Sequence, residues 1–339
     1  MGTVKKGNIA IFVPHNGCPH RCSFCDQRSI TGVKYQPTAS DVDKAVETAL
    51  SAKKQYDLEI AFFGGSFTAI DRDYMISLLK AAKRHIESGA VKGIRLSTRP
   101  DAIDGETLDI LEYYGVTAIE LGAQSLCEEV LKANLRGHTA GDVEAASRLI
   151  KERGFSLGLQ MMTGLYKSTP ERDIYTAEKI IELCPDTVRI YPTVTLKGTL
   201  LGELYLSGEY VPMTLEQSVE LCAILLEKFR QHSIEVIRLG LHYSEELVGG
   251  MLYNNYHPAF RELCEGRIML DKFNKQLSLS GLEGEKNITA YVHLSCVSKL
   301  SGHRRVNTEA LKAQGITLRI KPDNNAEPFD IRLEALNAE

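Results

Sequence analysis

Cys18, Cys22 and Cys25 stand close together near the start of the chain, with Gly17, Pro19 and Gly32 around them. Three thiolates separated by three and then two residues can wrap one corner of a cubane iron–sulfur cluster, for which thiolates are the usual ligands. Three protein ligands for four irons leave one iron open, and an open iron can chelate a small molecule directly. The competing chemistry is a zinc site, with His15 or His20 as the fourth ligand. Zinc sites favour paired two-residue spacings, whereas the first gap here is three. The other cysteines, Cys127, Cys184, Cys222, Cys264 and Cys296, are scattered, mostly in apolar helical settings such as Glu220-Leu221-Cys222-Ala223-Ile224. They read as small buried hydrophobes.

The thiols follow an apolar run, Ile9–Val13, that reads as a strand. Further strand candidates are Leu58–Phe63, Ile94–Ser97, Ala118–Leu121, Ser156–Met161 and Thr187–Ile190. Helix-period segments lie between them: Ala39–Gln55, Arg72–Ser88, Gly105–Tyr114, Ala140–Arg153 and Thr169–Leu183. Glycine or proline punctuates most junctions, as at Gly64-Gly65, Pro100 and Gly164. Six strand–helix units predict an α/β fold, a parallel sheet with right-handed crossovers, open or closed into a barrel. In both arrangements the active site belongs at the C-terminal ends of the strands, where the cysteines sit. A longer helix (Thr214–Gln231) and an apolar strand (Ile234–Leu239) follow, and then the pattern loosens.

At 339 residues, with 43% hydrophobic and 25% charged residues, the chain is neither disordered nor fibrous. Its net charge of -4 excludes a polycation, so any nucleic-acid contact must come from a local patch. No apolar run approaches the ~18 residues of a membrane span. Met1–Asn8 does not read as a signal peptide, and a cytoplasmic protein with reduced thiols and no membrane partner is expected.

The stretch Gly17-Cys18-Pro19-His20-Arg21-Cys22-Ser23-Phe24-Cys25 resembles the signature loop of the radical S-adenosylmethionine enzymes, including the aromatic Phe24 before the last cysteine. The resemblance implies a partial (β/α)6 barrel, a 4Fe–4S cluster on Cys18, Cys22 and Cys25, and S-adenosylmethionine bound to the open iron through its amino and carboxylate groups. One electron from the cluster then cleaves the sulfonium to a 5′-deoxyadenosyl radical. Arg99-Pro100-Asp101, Glu120–Ser125, Arg136-Gly137-His138-Thr139 and Arg189–Thr193 are similar to the catalytic subunit of Elongator, a tRNA-modifying radical enzyme. That likeness covers roughly residues 8–240, with an echo at Tyr256–Phe260. No acetyltransferase segment follows, so the acetyl-CoA-dependent carboxymethylation it would otherwise imply is not expected.

By the same resemblance Gly64, Gly65 and Ser66 form the loop that meets the methionyl ammonium. Two glycines also suit a tight turn, because without side chains the backbone can approach a neighbour closely. Glu120, Gln124 and Ser125 offer polar groups to a ribose or carboxylate. Arg136 suits the cofactor carboxylate, since a guanidinium fork matches one bidentately. Gln160, with Met161 and Met162, closes the fifth strand towards the pocket. Tyr191 and Lys197 bracket the end of the sixth and are the candidate catalytic residues; His138, His242 and His257 are possible acid–base groups.

Residues 1–240 are expected to form the barrel, 241–284 a connecting extension, and 285–339 a compact α+β tail. The tail order of strand, short helix, Gly302-His303-Arg304-Arg305, helix and strand resembles the core of a K-homology RNA-binding module. In that module a GXXG loop clamps single-stranded backbone. Here Arg305 replaces the second glycine, and Lys299 and Lys312 extend the basic character. The function these resemblances imply is modification of RNA, tRNA in particular, with a reduced ferredoxin or flavodoxin-type electron donor. The alternatives are a coproporphyrinogen oxidase-like enzyme acting on a small molecule, and a non-catalytic iron–sulfur RNA-binding factor.

Overall fold

The computed structural model describes residues 5–13, 22–25, 35–51 and 56–335. The chain divides into two compact units, Met1–Pro212 with His232–Asn254, and Met213–Gln231 with Asn255–Glu339. These differ from the breaks expected at 240 and 284, because a helix lying between two strands of the first unit in sequence belongs to the second unit.

In the first unit β1 (Lys5–Val13), β2 (Tyr56–Gly64), β3 (Gly93–Thr98), β4 (Val116–Gln124), β5 (Ser156–Thr163), β6 (Thr187–Pro192) and β7 (Glu235–Leu239) pair in that order. Every neighbouring pair is parallel, as the intervening crossovers require. The six expected strands are all present, and the further apolar strand expected at Ile234–Leu239 joins them as β7, at the edge of β6. Among the described residues β1 and β7 do not pair with each other, so the sheet is a curled half-barrel with two open edges.

The helices of this unit are α1 (Ala39–Ser51), α2 (Arg72–Glu87), α3 (Gly105–Tyr113), α4 (Glu128–Ala133), α5 (Ala140–Glu152), α6 (Pro170–Glu182) and α7 (Leu200–Leu206). Five of them start where the sequence supplies a side-chain acceptor. Asp71, Asp104, Thr139, Thr169 and Thr199 accept from the backbone N–H of Tyr74, Thr107, Asp142, Arg172 and Gly202. Pro170 then occupies the first turn of α6, where its missing N–H costs nothing.

Alternate strand residues, among them Ile60, Phe62, Leu96, Leu121, Leu159 and Ile190, are fully buried. The residues between them are Glu59, Arg95, Ser97, Glu120, Gln160, Arg189 and Tyr191. A buried parallel sheet is usually apolar on both faces. This alternation marks one face of the curl as polar.

Asp173, in the first turn of α6, is almost fully buried. Its carboxylate accepts from Gly164 N (2.8 Å) and Ser168 Oγ (2.5 Å), fixing the loop after β5. Burial pushes its pKa up to about 6, against the opposing hydrogen bonds from Ser168 and Gly164. The folded protein then holds a proton that the unfolded chain releases near pH 4, so this group removes stability as pH rises from about 4 to 6. Asp173→Asn keeps an acceptor for Gly164 and abolishes the titration. The variant is expected to gain on the order of 3 kcal/mol relative to wild type between pH 4 and pH 7, at 1.36 kcal/mol per pH unit. Urea unfolding of both proteins across that range measures it, and a pH-independent difference would refute it.

The second unit contains α8 (Leu215–Gln231), while α9 (Glu245–Gly250) belongs to the first. Within the segment read as a connecting extension lies a 20-residue helix, α10 (Phe260–Leu279). Its apolar stripe is hard to see in the sequence because Arg261–Glu265 and Arg267–Asp271 ion pairs and Gly266 interrupt it. A Cβ at Gly266 would make only ordinary contacts, 3.5 Å from Lys299 O and 3.6 Å from Gly302 Cα. Then β8 (Asn287–Val292), α11 (Val297–Ser301), α12 (Val306–Ala313) and β9 (Thr317–Pro322) follow in the expected order, β8 parallel to β9. A further strand, β10 (Ile331–Ala335), pairs antiparallel with β8 and completes the sheet order β10-β8-β9. Met269, Phe273, Ile288, Val292, Cys296 and Leu300 form the core of this unit. No helix among the described residues is long and apolar enough to cross a membrane.

Candidate active site

β1 ends at Val13 and leads into the cysteine loop, of which residues 22–25 are described; Cys18, His15 and His20 lie outside the described residues. Cys22 and Cys25 are free thiols at intermediate exposure, and Cys25 N donates to Cys22 O (3.1 Å) to close a turn between them. Ser23 between them is fully buried. Its Oγ donates to Asn134 Oδ1 (2.6 Å), its N–H donates to Asn134 O (3.1 Å), and its carbonyl accepts from Leu201 N (2.7 Å). The turn is therefore tied to the end of α4 and the start of α7.

Arg136 bridges this turn to β4. Its Nη1 donates to Cys22 Sγ (3.1 Å) and its Nη2 to Gly122 O (2.6 Å). A guanidinium there sets positive charge against a sulfur that would be a thiolate as a metal ligand. The β4 backbone is irregular at the same point. Its register with β5 shifts between Gly122 and Gln124, and Gln124 adopts φ 63, the left-handed region. A Cβ on Gly122 would come within 2.8 Å of the Gln124 amide nitrogen.

His138 is 5% exposed, with Nε2 3.2 Å from Ala123 O. Burial, and then the charge of Arg136, push its pKa down to about 4, so the imidazole is neutral at pH 7. Its Nδ1 and the Nε of Arg136 are buried with no hydrogen-bond partner among the described residues. Buried polar atoms are normally satisfied. Two orphans beside a thiol turn suit a polar cofactor at that place.

Gly64 and Gly65 hold the end of β2 against the end of β1. Gly65 N donates to Val13 O (2.8 Å), and Gly64 at φ 112 would bring a Cβ to 3.0 Å from that same oxygen. Ser66 is buried beside them. Gly64 is thus required by the strand ends that launch the cysteine loop, while Gly65 contributes its backbone N–H.

The polar face of the curl is held by a charge network. Glu120 on β4, 1% exposed, accepts from Arg95 on β3 (2.9 Å) and from Arg189 on β6 (2.5 and 3.0 Å). Gln160 Nε2 donates to Glu120 Oε2 (3.1 Å) and Ser97 Oγ (3.2 Å), and Arg95 also reaches Glu59 (3.1 Å). Burial alone would raise the Glu120 pKa; the hydrogen bonds and charges of Arg189 and Arg95 outweigh it and hold the carboxyl low. Gly158 on β5 makes room, since a Cβ there would meet Glu120 Cγ at 2.7 Å. Tyr191 lies one step further along β6, its phenol pKa pushed up by burial. Lys197 is exposed in the loop beyond β6, its backbone N–H donating to Gly250 O (2.9 Å), and its ammonium has no ion-pair partner among the described residues.

Residues 12–180 match the model of the radical SAM superfamily, and residues 185–269 that of the radical SAM C-terminal domain. The chain belongs to the radical SAM superfamily. A tRNA uridine(34) acetyltransferase of Dehalococcoides mccartyi is 27% identical over 239 residues, 60% of this chain and 52% of that protein. Elongator complex protein 3 of Homo sapiens is 32% identical over 252 residues, 65% of this chain and 45% of the other. The chain thus spans about half the length of the curated relatives it matches. The solved structure of Methanocaldococcus infernus Elp3 with an N-terminal deletion shares the fold, with a TM-score of 0.62 at 20% identity over 84% of this chain and 66% of that one.

As a radical SAM protein it uses a 4Fe–4S cluster and S-adenosylmethionine. The residues present fit both groups: two half-exposed thiols in an anchored turn, with the Arg136 guanidinium on Cys22 Sγ and the unsatisfied Nε of Arg136 and Nδ1 of His138 to meet a polar ligand. Sequence reasoning missed Ser23, Asn134 and Arg95. Ser23 and Asn134 are ordinary polar residues 111 positions apart. Arg95 had a visible signal, a cation alternating with the buried Ile94 and Leu96.

The residues expected to contact RNA lie in the second unit. Gly302 has φ 79, and a Cβ there would meet Asn307 at 2.9 Å. Arg304 (φ 51) and Arg305 (φ 64) are both left-handed, a conformation L side chains seldom adopt. His303 faces Glu262 (3.2 Å), and Lys299 pairs with Glu265 (3.2 Å) and lies over the Phe329 ring. Arg304 and Arg305 are exposed and form no ion pair among the described residues.

Proposed function

We propose that this radical SAM protein modifies RNA, with tRNA as its substrate and a reduced ferredoxin or flavodoxin-type protein as electron donor. The observation that carries the reading is the likeness to relatives named tRNA uridine(34) acetyltransferases, which extends over 60% of this chain in the Dehalococcoides mccartyi protein. When bound, the cluster and S-adenosylmethionine together supply the radical chemistry that attacks an unactivated position.

The chain's own residues hold and orient these groups. In this reading Cys18, Cys22 and Cys25 ligate the cluster. Gly64, Gly65, Ser66, Gln124 and Arg136 meet the polar groups of the methionyl moiety, while Glu120 and Gln160 shape the pocket floor beside it. Tyr191 carries its phenolic proton at neutral pH, as an ordinary phenol does, and burial disfavours the anion further, so it can present an O–H to the substrate. Lys197, exposed at the strand ends, supplies a cation to the approaching backbone.

The Gly302–Arg305 turn is the second RNA contact in this reading. Arg304 and Arg305 are the residues to test, since Lys299 and His303 already face glutamates. Gly302→Asp is a poor probe, because any side chain there strikes Asn307 and disturbs the turn itself. Replacing both arginines by alanine should reduce the log–log salt slope of tRNA binding by about 1.4–1.8, at roughly 0.7–0.9 per phosphate contact. Uncoupled cleavage of S-adenosylmethionine should persist in that variant. Filter binding across a salt series makes the measurement; identical slopes would remove the turn from the RNA interface.

A further inference from the structure

We infer that Ser23 and Asn134 form a latch that positions the cluster-binding turn, so that Asn134 is a positioning residue for the iron–sulfur site. The inference rests on the reading of Cys22 and Cys25 as cluster ligands.

The geometry is specific. Ser23 separates the two described thiols, yet it is fully buried while they are not. All of its hydrogen-bonding groups are committed: the hydroxyl and N–H to Asn134, and the carbonyl to Leu201 N. Asn134 is itself fully buried and cannot swing, because its Nδ2 donates to Val130 O (2.8 Å) and Tyr166 O (2.9 Å). With its amide so fixed, its Oδ1 and backbone oxygen become a rigid two-point acceptor for Ser23. Two residues on, Arg136 reaches Cys22 Sγ. One short connection between α4 and α5 thus grips neighbouring residues of the cysteine turn.

A turn that carries metal ligands gains affinity from being held before the metal arrives. Partners that orient ligating groups typically contribute about 10–100-fold in metal affinity when removed by mutation. Ser23 touches no metal and sits on no catalytic route, so its burial between two ligands has this positioning role.

The test uses full-length protein reconstituted anaerobically with iron and sulfide. Ser23→Ala, Asn134→Ala and the double variant are challenged with an iron chelator, and apo-protein folding is followed by circular dichroism. Each single variant should lose its iron at about 10–100-fold lower chelator concentration than wild type. The double variant should fare no worse than the poorer single one, because both remove the same contact. The electron paramagnetic resonance spectrum of the reduced cluster should broaden in each, a change that a purely structural role would not produce. Ser23→Ala deletes one buried oxygen and leaves Asn134 Oδ1 unpaired; circular dichroism showing that its apo form is folded separates loss of the latch from loss of the fold. Wild-type iron retention in folded Ser23→Ala protein, or multiplicative losses in the double variant, would overturn the latch. Absence of iron from the wild type would instead overturn the ligand assignment, and the latch with it.

Discussion

Protein carrying Cys22→Ala or Cys25→Ala is expected to lose its four-iron cluster on anaerobic reconstitution, and with it all cleavage of S-adenosylmethionine under dithionite. Three thiolates leave one iron open on a cubane cluster, and two cannot hold it against solvent. Each cysteine sits at an end of the turn closed by the Cys25 N to Cys22 O hydrogen bond, and neither has a neighbouring thiol to replace it among the described residues. Cys222→Ala is the control. Cys222 is fully buried in α8 of the second unit, and its loss leaves a small void costing about 1 kcal/mol without touching iron. Iron and sulfide analysis, together with 5′-deoxyadenosine formation, reads the outcome. A Cys22→Ala protein with a full complement of iron, or wild type purified with stoichiometric zinc and no iron, would sink the assignment.

Much of this was legible before any coordinates. The alternation of strand and helix segments from Ile9 to Ile190 carries the parallel sheet, because period-2 and period-3.6 patterning answer to different burial geometries. The thiol spacing carries the cluster. What the pattern hid has physical causes. β10 is short and only Leu333 in it is buried, so that residue alone carries its burial signal. In α10, charged i,i+4 pairs and Gly266 dilute the apolar stripe. Asn134 and Ser23 meet only through the fold, and no local rule pairs two polar residues so far apart. Arg136 could be read as a carboxylate partner from its fork, but its contact with Cys22 Sγ depends on where the α4–α5 connection passes the cysteine turn.

The polar face of the curl raises a question of charge. Arg95 and Arg189 would together make that face cationic, and Glu120 and Glu59 offset them. Glu120 thereby does two things at once. It pairs with two guanidinium groups, and through Gln160 Nε2 it fixes the orientation of the amide on β5.

Glu120→Ala should therefore cost about 3–5 kcal/mol of unfolding free energy, the range for removing one partner of a buried ion pair. The loss exceeds that of a cavity of the same size because Arg189, whose side chain is 13% exposed, is left with no carboxylate among the described residues. Arg95 keeps Glu59 at 3.1 Å. Glu120→Gln keeps the shape and one acceptor and should fall between wild type and alanine. Adding Arg189→Met to Glu120→Ala should recover part of the loss, since it removes the stranded charge rather than a contact. The same pair predicts the pH dependence. The Glu120 pKa is held below its unfolded value, so its contribution is complete above the unfolded pKa and disappears as pH falls through the folded one. The gap between wild type and Glu120→Ala should then narrow in acid. Urea unfolding of the three variants at neutral and acidic pH measures each of these. If Glu120→Ala matched wild type within about 1 kcal/mol, as an exposed pair would, water and not Glu120 would be balancing the arginines.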